Sequence, residues 1–95
     1  MFVILLTYKK PLEIADKYIP EHVEFLQSGY KNNYFIASGP KDKRTGGVIL
    51  SQLTDREQIE KIIQKDTFYI HDICDYEIIE FTPNRYHQDF ATFVA

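Results

Sequence analysis

A small α+β domain built on an antiparallel sheet is the fold class predicted by this sequence of 95 residues. Three observations carry the prediction. Four short stretches are rich in β-branched and aromatic residues, which favour strands. Two longer stretches with apolar residues at helical intervals separate the first strand from the second and the third from the fourth. A connection containing Pro and Gly joins the middle two strands. At this length there is room for one hydrophobic core.

Residues 2–8, "FVILLTY", form the first predicted strand. Residues 12–31 read as helix in two pieces. Pro20 lacks an N–H and clashes with the preceding turn, so a break or a fresh first turn falls there. Ile19, Val23, Leu26 and Tyr30 recur at helical spacing and form the predicted core-facing stripe. Asn32-Asn33 ends the helix, since Asn tolerates positive φ. "YFIASG" (34–39) and "GVILS" (47–51) are the second and third strands, linked by "PKDKRTG". Thr54 and Glu57 have capping-box spacing ahead of Ile59, Ile62 and Ile63, which predicts a second helix ending near Lys65. "DTFYIHD" (66–72) reads as a turn with one further helical turn, and "YEIIEF" (76–81) as the fourth strand, closed by Thr82-Pro83. The order β-α-β-β-α-β is the ferredoxin-like arrangement, with both helices on one face of the sheet.

Strand one is apolar on both faces, with Phe2, Ile4 and Leu6 on one and Val3 and Leu5 on the other. The helices cover only one of these faces. A second copy stacking its sheet on the other is the simplest cover, which predicts a homodimer through the sheet face.

Composition narrows the partners. The chain is 44% hydrophobic and 26% charged, as expected of an ordinary globular protein, and its net charge of -3 offers no basic footprint for nucleic acid or an anionic membrane. An RNA-recognition reading also fails, because the free sheet face is aliphatic, without stacking aromatics. An acylphosphatase-like reading fails on "TYKKPLE", which has no glycine-rich anion cradle. The lone Cys74 excludes an internal disulfide and suits a reducing cytosol. "FVILL" is too short for a membrane span and lacks the flanks of a signal peptide, so a cytoplasmic protein is expected.

His22 is the first candidate for chemistry. A histidine at the edge of a helical core stripe is either packed and hydrogen-bonded, or a general acid or base with an ordinary pKa of about 6.5. Proton transfer would need a carboxylate to fix its tautomer. Asp66 is the carboxylate of interest: it falls at the end of the second predicted helix, where the helix dipole disfavours an anion. Its alternative is an Asx-type turn residue. Glu21, Glu24, Asp55, Glu57 and Glu60 fall on solvated faces. "SGP" (38–40) and "RTGG" (44–47) bracket a loop that is either a plain hairpin connection or a pocket lip, with Gly39 admitting substrate and Arg44 pairing with an anion. Its spacing is not that of a phosphate-binding loop. His71, Asp72, Cys74 and Asp75 make a weak metal signal, because one His-x-x-Cys lacks a second ligand pair, and no metal is expected. Cys74 reads as a small buried hydrophobe, and no serine lies in a nucleophile elbow.

Taken together, "FVILLTYKKPL", "HVEFL", "FIASGP", "RTGGVIL", "DTF" and "YEIIEFTP" resemble, in order and spacing, the YciI-like (YCII-related) family of small proteins. The resemblance covers residues 1–85 and leaves 86–95 as a C-terminal tail. It implies a dimeric, ferredoxin-like fold of the α/β-barrel type, a site centred on His22 and Asp66, and no cofactor. Ser38, Gly39 and Pro40 match the family's strand-end turn, Arg44 to Gly47 its Arg-Thr-Gly-Gly, and Phe68 the aromatic after the aspartate. Thr67 stands where the family often has proline, which implies a looser turn and leaves the exact aim of Asp66 open. Lys43 stands where many relatives have proline.

Dehalogenating or lyase-type chemistry on hydroxylated aromatic rings is attached to part of the family. The expected function is therefore a His22/Asp66 acid–base enzyme on a small molecule, with Ser38, Gly39, Arg44 and Phe68 contacting substrate. Two rivals use no chemistry: a ligand-binding or regulatory dimer with the same pocket, and a purely structural interaction module.

Overall fold

Alternation decides which side of the first strand meets the core. In the computed structural model, which describes residues 1–94, β1 (Phe2–Tyr8) buries Phe2, Ile4 and Leu6 and leaves Val3 and Leu5 half-buried on the opposite face. The chain continues through α1 (Leu12–Ala15), a 3₁₀ turn (Asp16–Tyr18), α2 (Ile19–Lys31), β2 (Phe35–Pro40), a 3₁₀ turn (Asp42–Arg44) and β3 (Gly46–Ser51). It ends with α3 (Arg56–Ile63), α4 (Thr67–Ile70), β4 (Cys74–Glu80) and a 3₁₀ segment (Gln88–Phe93). The sheet order is β2-β3-β1-β4, with every pair antiparallel. Ile59, Ile62 and Ile63 of α3, with Phe35, Phe68 and Ile73, close the core over β1. Among the described residues no helix is long and apolar enough to cross a membrane.

Pro20 lies in the first turn of α2, where its missing N–H costs no hydrogen bond. The stripe that α2 turns inward differs from the expected one. Val23 and Tyr30 are 41% and 37% exposed, while His22, Phe25, Leu26 and Gly29 face the domain. These four follow the i, i+3, i+4, i+7 repeat. Gly29 sets the rotation: a Cβ there would lie 2.1 Å from the Phe35 ring, so the helix settles on that ring only because the side chain is absent. A reading by apolarity alone passes over a stripe containing a histidine and a glycine.

The cap of α3 is Asp55, not Thr54. Its carboxylate accepts the Glu57 N–H at 3.0 Å, and the helix starts one residue later than a Thr54 capping box requires. Asp66 likewise does not end α3. The chain breaks after Ile63 and restarts, and Asp66 caps α4, where the helix dipole favours an anion. β4 begins at Cys74, two residues before the expected start, because it pairs with β1 from Tyr8↔Cys74 to Phe2↔Glu80. The expected end of α2 holds, with Asn33 at φ 60°.

In the β2–β3 connection the left-handed residues are Lys43 (φ 65°) and Arg44 (φ 52°). Gly46 follows at φ 153°, so close to β1 that a Cβ would lie 1.8 Å from the Leu6 carbonyl oxygen. This contact seats the loop, and with it Arg44, over the end of β1. On the outer sheet face Val3 and Leu5 stand beside Leu50, Val48 and Ile79 by register, and Ile79 and Phe81 are 43% and 42% exposed. The tail's Phe90 and Phe93 meet edge to face outside the core cluster.

Candidate active site

Asp66 is completely buried, and its carboxylate accepts three hydrogen bonds. Its Oδ1 accepts from His22 Nδ1 at 2.8 Å and from the Phe68 N–H at 3.1 Å, and its Oδ2 accepts from the Tyr76 hydroxyl at 2.6 Å. A carboxylate offers acceptors only, so the His22 proton in this contact sits on Nδ1. In the neutral ring Nε2 then carries the lone pair, and it has no hydrogen-bond partner among the described residues. The ring is aimed by stacking as well: His22 lies on Phe68 with centroids 4.1 Å apart and planes 13° apart.

Each group reaches this point for a local reason. His22 is carried inward by the 22/25/26/29 stripe of α2. Asp66 is held by its role as the cap of α4, and Phe68 follows two residues later as the buried aromatic of that turn. Tyr76 was not foreseen. It stands opposite Leu6 in the β1–β4 register and so on the core-facing side, where a phenol needs a polar partner. Burial, followed by the nearby Asp66 charge, pushes its hydroxyl far above the ordinary value, so Tyr76 remains a donor. Thr67 does not loosen the turn. Its buried hydroxyl donates to Glu21 Oε2 at 3.1 Å, tying the residue after Asp66 to the residue before His22. Glu21 itself stays exposed, on the solvated face expected of it.

A cavity of about 270 Å³ opens beside the pair. Ile19, His22 and Leu26 form its helical wall, Leu6, Tyr8 and Ile49 its sheet wall, and Phe68 and Cys74 lie between them. Ser38, Gly39 and Pro40 form one lip and Arg44, Gly46 and Gly47 the other. Ser38 Oγ shares a hydrogen bond with the Tyr30 hydroxyl, and the space beside Gly39 is open, with no atom within 4 Å of where a Cβ would stand. Arg44 reaches back across the rim, its Nη2 donating to Asp16 Oδ1 at 2.6 Å. Burial pushes the Tyr8 phenol up, and Arg44 beside it pulls the other way.

The cavity thus gathers His22, Ser38, Gly39, Arg44 and Phe68 on its wall, with Asp66 behind His22. Cys74 is a poor nucleophile here: burial, then the Asp66 charge, pushes its thiol up to about 12. His71 stacks on Tyr18 with centroids 4.4 Å apart. Among the described residues no group of three His, Cys, Asp or Glu side chains is placed to hold a metal ion.

A helix-borne histidine fixed by a buried aspartate beside a small cavity in an α+β domain defines a class of candidate acid–base sites. The chain itself belongs to the YCII-related domain family, whose profile matches residues 1–82. No curated protein sequence matches it. Among solved structures it is similar to the 5-chloro-2-hydroxyhydroquinone dehydrochlorinase TftG of Burkholderia phenoliruptrix AC1100, in complex with 2,5-dihydroxybenzoquinone. The TM-score is 0.69 at 14% identity, over 85% of this chain and 93% of that one. The two share a fold.

Proposed function

We propose that this protein is an enzyme that moves protons on a small hydroxylated ring compound, with dehalogenase- or lyase-type chemistry. One observation carries the proposal: the buried Asp66 carboxylate, which accepts three hydrogen bonds, holds Nδ1 of His22, a residue of the cavity wall whose Nε2 has no partner among the described residues. Nε2 is placed to take a proton from a ring hydroxyl, and Asp66 stabilises the imidazolium that results. Return of that proton to the carbon bearing a halogen, followed by departure of halide and loss of a further hydroxyl proton, amounts to net loss of hydrogen halide. No oxidant is needed. Arg44 and the Ser38-Gly39 turn hold the polar edge of the ring, and Phe68, Leu26 and Ile49 meet its faces. The cavity volume lies below the usual drug-sized range and suits a single ring. The dehydrochlorinase of the same fold, with a dihydroxylated quinone bound, supports this substrate class.

The test is chloride release. Incubation with 5-chloro-2-hydroxyhydroquinone should give chloride at a rate proportional to enzyme, read with a chloride-selective electrode and corrected for spontaneous loss. Tight binding by calorimetry with no chloride above that background would instead make this a ligand-binding or regulatory protein using the same pocket.

The proposal includes assembly as a homodimer of the ferredoxin-like α/β-barrel type. The outer sheet face presents Val3, Leu5, Val48, Leu50 and Ile79 together, and a second copy of that face buries them. Leu5→Glu places a charge in the middle of this surface. The variant should run as monomer or aggregate in light scattering, against a dimeric wild type; a wild type that is monomeric at micromolar concentration removes the assembly.

A further inference from the structure

We infer that Asp16 sets the anion selectivity of the cavity by competing with the ligand for Arg44. The inference rests on the proposed role of Arg44 as the anchor for a substrate's polar edge. Three features lead to it. First, the 2.6 Å contact between Arg44 Nη2 and Asp16 Oδ1 ties a lip residue of the cavity to a carboxylate just outside it: Asp16 does not line the cavity but lies three residues before the wall residue Ile19, and Arg44 is on the lip. Second, the backbone of the β2–β3 loop is anchored, with Gly46 against the Leu6 carbonyl and the Arg44 N–H bonded to the Lys41 carbonyl at 3.0 Å. The guanidinium therefore swings on its own side chain between Asp16 and the cavity, and the backbone need not move. Third, both partners are about half exposed, and an exposed ion pair is weak and readily exchanged.

A ligand anion inside the cavity meets Arg44 in apolar surroundings, where the attraction is less screened. A neutral ligand gains nothing from releasing Arg44. Asp16 thus charges every anionic ligand for the pair it breaks and adds its own repulsion. The occupied state differs from the empty one in which carboxylate or enolate Arg44 holds.

The test has two arms. The first is calorimetry at fixed ionic strength with 2,5-dihydroxybenzoquinone, an acidic ring that is anionic at neutral pH, and hydroquinone, a neutral ring of similar size. Asp16→Asn should bind the acidic ring about two- to fivefold more tightly than wild type, as expected for release of one exposed ion pair, and hydroquinone unchanged. Arg44→Gln should weaken the acidic ring and cancel the effect of Asp16→Asn in the double variant. Equal or weaker binding of the acidic ring by Asp16→Asn overturns the inference, as does an equal gain for both rings.

The second arm needs no aromatic ligand. Cys74, the only cysteine, lines the cavity; its raised thiol pKa makes alkylation slow, but the ratio of its rates with iodoacetate and with neutral iodoacetamide cancels the thiolate fraction and reports entry of an anion against an uncharged molecule of like size. The iodoacetate-to-iodoacetamide rate ratio should rise in Asp16→Asn and fall in Arg44→Gln. A ratio unchanged across the variants overturns the inference. An acidic ring that fails to bind wild type counts against the ring-compound reading of the site, and the alkylation ratio still decides the role of Asp16.

Discussion

Asp66→Ala is expected to lower the free energy of unfolding by about 3–5 kcal/mol, the usual cost of removing one member of a buried, hydrogen-bonded charged group. Urea titration followed by circular dichroism measures it, since a shifted midpoint at constant slope reads as a stability change. The size follows from what is left behind. The Tyr76 hydroxyl, the His22 Nδ1–H and the Phe68 N–H all lose their acceptor at once. A buried donor without a partner costs about 1–3 kcal/mol, and some of that is recovered where His22 can reach water from the cavity. The α4 cap disappears with the same substitution, because the Phe68 N–H is the bond that caps it. Asp66→Asn should cost less, about 1–2 kcal/mol, since one oxygen remains to accept and the Tyr76 hydroxyl can turn to accept from the new amide. An Asp66→Ala protein within about 1 kcal/mol of wild type would mean that water fills the site freely and that the carboxylate is not structurally committed.

How much of this was legible in the sequence depended on whether a residue's role followed from its own neighbours. The alternation in "FVILLTY" placed Phe2, Ile4 and Leu6 inside because a strand's side chains alternate, and nothing remote alters that. Ile59, Ile62 and Ile63 were equally plain on α3. The inward face of α2 was not, since it is set by Gly29 against Phe35, a contact across the loop between helix and strand. Asp66 could be singled out as a carboxylate but not placed. Its cap role depends on the break after Ile63, and its pairing with His22 on a separation of 44 residues. Tyr76 left no signal, because the two faces of "YEIIEF", 76/78/80 and 77/79/81, each carry one glutamate and do not say which is the inner one. In the sequence Thr67 shows only as a missing proline; its hydroxyl bond to Glu21 is a tertiary contact with no local signature. The Asp16–Arg44 pair, 28 residues apart, had none either.

His22→Gln should leave the fold and ligand affinity nearly intact and reduce turnover by about 100- to 10,000-fold, the range typical of losing a general acid–base group. The glutamine amide still donates a hydrogen bond toward Asp66, so the buried carboxylate keeps a partner. It cannot accept and return a proton near neutral pH, so a step routed through Nε2 loses its base. Paired calorimetry and chloride-release assays on the same preparation separate the two effects. Unchanged affinity with collapsed chloride release assigns the proton transfer to His22. If His22 only binds, there is no turnover to lose, and affinity falls by about the 0.5–1.5 kcal/mol of one hydrogen bond. Tyr76→Phe provides the graded comparison. It removes one of the three donors to Asp66 without touching the cavity wall, so it should reduce turnover far less than His22→Gln while measurably loosening the pair. A His22→Gln enzyme with wild-type chloride release would show that the proton leaves by another route, and His22 would then be a hydrogen-bonding group alone.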